Sequence, residues 1–250
     1  MLRERRHPEK LWECGGIELR ADGLSFDEVL PAVRAFADEK KRRGFAGPVV
    51  FTLRLRRDGG DWEDARAAQR EPLWVELAGE PAPLCDLVDV EIEEIASLDE
   101  ETRQALFEGN GKTLLSHHAF VPESVSIWER HLAAMSTVHP AAVKFAVTPE
   151  NSGETTSLLR FARDVAEKFS LSCVIGMGEA GQATRVVSPL LGCPITYAFL
   201  EDGPVAPGQL SLEVLQACFA RTGDRPAQDA AEGDWIHWAE TAIREAGFDR

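Results

Sequence analysis

The chain has 250 residues, enough for one large α/β domain or two small ones. Apolar residues make up 44% and charged residues 28%, the balance of a globular chain that can bury a core. The net charge of −15, from 42 acidic and 27 basic side chains, argues against nucleic acid or an anionic membrane as a partner, yet leaves room for a few arginines to hold an anionic small molecule.

The first thirteen residues are charged and lack the apolar stretch of a secretory signal. No apolar run approaches the roughly 20 residues of a membrane span. Short β-branched runs then recur, each followed by a longer helical pattern. Strands are expected at 16–21, 48–55, 87–92, 113–118, 143–147, 173–177 and 195–200. Their near-continuous apolar character is that of parallel strands buried on both faces. Helices are expected at 25–43, 62–78, 97–108, 122–138, 155–170 and 180–191, with two more at 211–220 and 234–246. Ser25 and Asp27 open the first helix as capping residues do, and Pro122 suits a first helical turn. No GxGxxG follows the first strand, so a dinucleotide-binding fold gains no support.

Alternation this regular predicts an α/β fold with a parallel sheet and right-handed crossovers, a TIM-type (β/α)8 barrel. Only seven strands are visible where a closed barrel needs eight, so the first βα unit is missing, or the region 11–14 supplies an irregular substitute. Residues 1–221 are read as the barrel. Residues 222–233 read as a linker, and the rest, to 250, as an appended amphipathic helix with Trp235, Trp238, Ala242 and Ile243 on one face. That helix covers an open edge or packs on a second copy, which places a homodimer among the expectations. The five cysteines, Cys14, Cys85, Cys173, Cys193 and Cys218, form no CxxC or CxxH pair. Neither a disulfide framework nor a metal site is expected, and the expected compartment is the reducing cytoplasm.

In a βα barrel the reactive groups sit at the C-terminal ends of the strands. There the sequence places Glu18, Arg20, Arg54, Glu91, His117, His118, Lys144, Met177 and, one helical turn on, Arg185. Lys144 lies inside AAVKFAV, in a strand expected to be central. Burial disfavours an ammonium and equips the amine for nucleophilic attack. The other reading is a lysine that snorkels to the mouth or pairs with a carboxylate, and spacing alone leaves both open. His118 ends the preceding strand. Strand alternation turns one of His117 and His118 inward and the other outward. An inward histidine there can carry a proton, or simply be hydrogen-bonded. Glu18 and Arg20 share one strand face and are equally readable as an ion pair.

Seven segments together resemble the type I 3-dehydroquinate dehydratase family, from about residue 16 to 220. IELRAD at 17–22 is similar to its ELR-x-D strand. FTLRLRRDGG at 51–60 resembles its F-T-x-R…GG strand and loop, and DLVDVEI at 86–92 its acidic strand. LLSHHAF at 114–120 resembles S-x-H-D-F, and VKFAVTP at 143–149 the strand with the Schiff-base lysine. GMGEAGQATR at 176–185 and APGQLS at 206–211 resemble the two loops that follow. The resemblance implies dehydration of 3-dehydroquinate to 3-dehydroshikimate in the shikimate pathway, a hydro-lyase reaction needing no metal or organic cofactor. It implies that Lys144 forms an imine with the ring ketone and that His118 moves the proton, with Asp58 as the carboxylate that orients the histidine. Arg185 then holds the substrate carboxylate by a two-pronged hydrogen bond. Glu18, Arg20 and Arg54 bind substrate, Gln209 closes over it, and Phe120 and Met177 form apolar walls.

The chain departs from the family pattern at Ala119, where the family has Asp, at Asp58, where Glu is usual, at Val205, where Ser precedes APGQ, and at Thr148, where Met is common. These departures keep two other readings open. One is a dehydratase-like barrel with weak or no activity and a binding or regulatory role. The other is a different Schiff-base lyase or aldolase.

Overall fold

The structure is a computed structural model that describes residues 8–79, 84–108, 112–200 and 203–247. Its elements alternate in chain order: β1 (Ile17–Arg20), α1 (Phe26–Arg43), β2 (Val49–Thr52), α2 (Glu71–Ala78), β3 (Leu87–Glu91), α3 (Glu100–Phe107), β4 (Thr113–His118), α4 (Val125–Val138), β5 (Ala142–Val147), α5 (Ser152–Lys168) and β6 (Ser172–Gly176). After β6 come α6 (Gly178–Gly181), α7 (Thr184–Leu190), β7 (Ala198–Phe199), β8 (Leu210–Ser211), α8 (Leu212–Ala220) and α9 (Glu232–Glu245). This is the α/β, TIM-type alternation that the sequence predicts. The chain divides into two compact units, the first holding residues 1–116 and 138–141, the second residues 117–137 and 142–250.

In the first unit β1, β2, β3 and β4 are parallel neighbours in sequence order, with Val50 opposite Leu87 and Val88 opposite Thr113. Every residue of β2 and β3 is buried, including the acids Asp89 and Glu91 of β3. A 3-10 helix, Pro8–Glu13, precedes β1 where the first βα unit was expected to be missing or replaced by an irregular substitute; residues 1–7 lie outside the described ones. Helix α1 opens with Ser25 as N-cap, whose backbone N–H donates to the Glu28 carboxylate at 3.0 Å. It closes on Gly44 at φ 66°, the left-handed cap that a side chain would strain. The helix expected at 62–78 is a 3-10 segment, Asp64–Arg70, that passes into the shorter α2.

In the second unit β5 and β6 pair in parallel, with Lys144 opposite Cys173 and Val147 opposite Gly176, and both strands are wholly buried. On one side of β5 Phe145 packs edge-on against Phe161 of α5, at 4.8 Å between ring centres. By alternation Lys144 and Ala146 face the other way, where Ala146 meets Cys173, Ile175 and Met177.

Two expectations need correction here. The strand expected at 195–200 is reduced to the two-residue β7, which pairs with β8 in a small separate sheet. Pro194 brings no N–H to a ladder, and the segment keeps one backbone hydrogen bond to β6, from Ile195 N to Ser172 O at 3.0 Å. The helix expected at 180–191 is broken into α6 and α7. Its start is set by Gly176 and Gly181, whose backbones approach so closely that a Cβ on Gly176 would lie 2.5 Å from Gly181 Cα.

Helix α9 buries Trp235, Ile236, Ala239, Ala242 and Ile243 against α5, α7 and α8, with Trp238 partly buried beside them. Its apolar face is therefore used inside its own unit. All five cysteines are free, and no described helix is long and apolar enough to cross a membrane.

Candidate active site

The second unit holds Lys144, His118, Phe120, Met177, Arg185 and Gln209. Lys144 is 6% exposed and its Nζ sits 4.2 Å from the centre of the Tyr197 ring. The lysine is buried on the face of β5 opposite Phe145, and the aromatic contact is one that its own strand does not announce. The histidine pair separates by alternation. His117 stacks on His131 of α4 at 4.2 Å and its Nε2 lies 2.9 Å from Glu123 Oε2. That places His117 on the helix side and turns His118, half-buried, to the opposite face. The end of β4 is tied to β5 by the hydrogen bond from Ala119 N to Ala146 O, 2.9 Å. Thr148 Oγ1 adds a second tie by donating to Ala119 O at 2.8 Å. The small Ala119 is buried at this junction, whereas Phe120 next to it is 43% exposed.

Arg185 is the least comfortable side chain of the unit. It is fully buried, and burial pushes its pKa down to about 10. Its Nη2 donates to Pro207 O at 3.2 Å, while Nε and Nη1 have no hydrogen-bond partner among the described residues. No carboxylate among them pairs with it either. A buried guanidinium in that state costs free energy until an anion arrives. The loop it touches is held by Gly208, at φ 70°, where a Cβ would meet Gly178 O at 2.3 Å. Gln209, in the same loop, is buried and turned back on itself: its Oε1 accepts from Val205 N at 2.9 Å. Met177 is buried against β6.

The first unit holds Glu18, Arg20, Arg54 and Asp58. Arg54 is buried and clamped. Nη2 reaches Asp89 Oδ2 at 2.5 Å, and Nη1 reaches Glu91 Oε1 at 2.8 Å and Ser116 Oγ at 3.1 Å. Ser116 donates in turn to Asp89 Oδ1 at 2.6 Å, and Arg70 Nη1 takes the other Glu91 oxygen at 2.8 Å. Despite the cost of burial, the two carboxylates hold the Arg54 guanidinium well above its usual range. Glu18 accepts from Thr52 Oγ1 at 3.0 Å. Arg20 makes a two-pronged pair with Asp22, at 2.7 and 2.8 Å, rather than with Glu18. Asp89, Glu91, Ser116 and Asp22 thus carry an electrostatic role that the sequence reading did not assign. The signal was present in LVDVE, where two acids share one face of a strand too apolar to be exposed.

Asp58 is raised to about 6 from an ordinary 3.8, first by burial and then by the like charge of Glu91, with Arg54 opposing both. A raised carboxyl costs the folded state nothing below pH 3.8 and its full amount above about 6. Asp58→Asn should therefore leave stability unchanged at pH 3.5 and raise it by about 1–2 kcal/mol at pH 7.5, discounted for the partial exposure of the side chain. Urea titrations at the two pH values check this.

Similarity to known proteins places the chain by family and by fold. The sequence model of type I 3-dehydroquinase matches residues 6–224. The 3-dehydroquinate dehydratase of Methanosarcina acetivorans is 31% identical over 206 residues, 80% of this chain and 82% of that one. That of Lactococcus lactis subsp. lactis is 32% identical over 200 residues, 79% and 81% of the two chains. The solved 3-dehydroquinate dehydratase of Aquifex aeolicus superposes with a TM-score of 0.66 at 26% identity, covering 85% of this chain and 92% of that one. The Geobacillus kaustophilus enzyme gives 0.67 at 22% identity, covering 83% and 81%. Fold and sequence define an α/β lyase of TIM-barrel type. The chain belongs to the type I 3-dehydroquinase family, and its reaction is the dehydration of 3-dehydroquinate, a hydro-lyase step.

Proposed function

We propose that the dehydration runs through an imine on Lys144, with His118 moving the proton and Arg185 holding the substrate carboxylate, to give 3-dehydroshikimate for the shikimate pathway. The observation that carries the reading is the buried, half-satisfied guanidinium of Arg185 in the same unit as a buried lysine and an inward-turned histidine. The lysine nitrogen bonds to the ring carbonyl carbon and the carbonyl oxygen leaves as water. The protonated imine then withdraws electrons from the neighbouring carbon. His118 takes the proton from that carbon, and the electron pair left behind expels the hydroxyl group, which departs as water with the proton from His118. Hydrolysis of the imine returns Lys144. Glu18, Arg20, Arg54 and Asp58, with Gln209, Phe120 and Met177, keep the roles that the family resemblance implies. Five free thiols suit a cytoplasmic enzyme.

Borohydride reduction in the presence of 3-dehydroquinate, followed by intact mass and peptide mapping, tests the proposal. An adduct on Lys144 is expected; turnover without any reducible adduct sinks it. Arg185→Met separates ligand binding from structure. It should raise KM by at least about a hundredfold, from loss of the charged fork. It should also raise the melting temperature, because an unpaired buried cation is replaced by an apolar chain of similar volume. A fall in both affinity and stability would mean that Arg185 is structural.

A further inference from the structure

We infer that Tyr197 is a positioning residue for the reaction, an aromatic platform that steadies the positive charge of the protonated imine on the Lys144 nitrogen. The inference rests on the Lys144 imine reading above. The ring centre lies 4.2 Å from Nζ, well inside the range at which a ring quadrupole attracts a cation. Tyr197 packs against the apolar cluster of Ala146, Cys173, Ile175 and Met177, and Lys144 is 6% exposed, so burial limits the water that screens the attraction. The segment that carries the ring is held at three points. Ile195 N is hydrogen-bonded to Ser172 O, Thr196 Oγ1 donates to Arg185 O at 2.9 Å, and Ala198 enters β7. The short segment 195–199, which fails to become a full strand, thereby delivers one side chain against the lysine and one against the backbone of Arg185. The protonated imine carries its charge on the same nitrogen, so the platform favours the electron sink on which removal of the carbon-bound proton depends.

Tyr197 is the only tyrosine in the chain, so 3-fluorotyrosine labels this ring alone. The 19F resonance is expected to shift in Lys144→Ala and again when borohydride locks the substrate adduct on Lys144. In kinetics, Tyr197→Leu is expected to lower kcat about tenfold, the equivalent of about 1.4 kcal/mol of cation–aromatic attraction, with KM nearly unchanged and less adduct trapped at equal substrate. Tyr197→Phe keeps the ring and should restore kcat to within about threefold of the parent. If Tyr197→Phe is as slow as Tyr197→Leu, the hydroxyl and not the ring acts, and the inference falls. It falls also if the 19F signal ignores both Lys144→Ala and the adduct, a readout that needs no folded Leu variant. Absence of any adduct on Lys144 in the parent enzyme removes the imine reading itself, which is a different failure.

Discussion

Lys144→Ala is expected to lower kcat by about four orders of magnitude or more and to leave no borohydride-reducible adduct. The amine is the electron sink of the proposed mechanism, and nothing else in β5 can replace it: its neighbours are Ala142, Val143, Phe145 and Ala146. Removing a covalent route typically costs most of the catalysed advantage, because the two easier steps revert to one difficult step. The fold should survive. Lys144 is 6% exposed, so the substitution removes a buried cation along with its packing. Far-UV circular dichroism should be unchanged, and the unfolding free energy from urea titration should move by no more than about 2 kcal/mol. A kcat within tenfold of the parent would show that Lys144 is a structural lysine.

Arg54→Met should act in the opposite sense, on stability before activity. The guanidinium is buried between Asp89 and Glu91 and hydrogen-bonded to Ser116. Without it, Asp89 and Glu91 both lose the cation between them, and Glu91 retains the pair with Arg70. Breaking one partner out of a buried network of this kind costs about 3–5 kcal/mol, much of the stability of a typical domain. Equilibrium urea unfolding at pH 7 measures the loss. Adding Asp89→Asn to Arg54→Met should recover about half of it, since one of the stranded charges is gone while Ser116 can still donate to the amide oxygen. If Arg54→Met is as stable as the parent, the clamp is only an exposed-type pair and the buried reading of the network is wrong.

What the sequence determined by itself is what depends on local pattern. Short, largely apolar runs made β2, β3, β5 and β6, each buried along its whole length, and their alternation with amphipathic helices dictated a parallel α/β arrangement. Period-two alternation turned Lys144 away from Phe145, and one histidine of the pair away from the other. The apolar face of α9 was legible from the spacing of Trp235, Ala242 and Ile243.

The tertiary structure decided what depends on residues far apart in the chain. Which histidine turns outward was settled by His131 of α4, which stacks on His117. Arg54 reads in the sequence as one of several cationic substrate groups; that Asp89 and Glu91, some thirty-five residues on, also hold its guanidinium is a property of the fold. Arg185 and Arg54 have the same side chain in the sequence; among the described residues one ends buried without a carboxylate and the other between two, because only the fold says which neighbours arrive. The segment 195–200 reads as a strand by composition, yet β6 gives it a single hydrogen bond and β8 takes its last residues. Backbone pairing and charge compensation are properties of contacts between distant segments, which a local pattern permits but does not select.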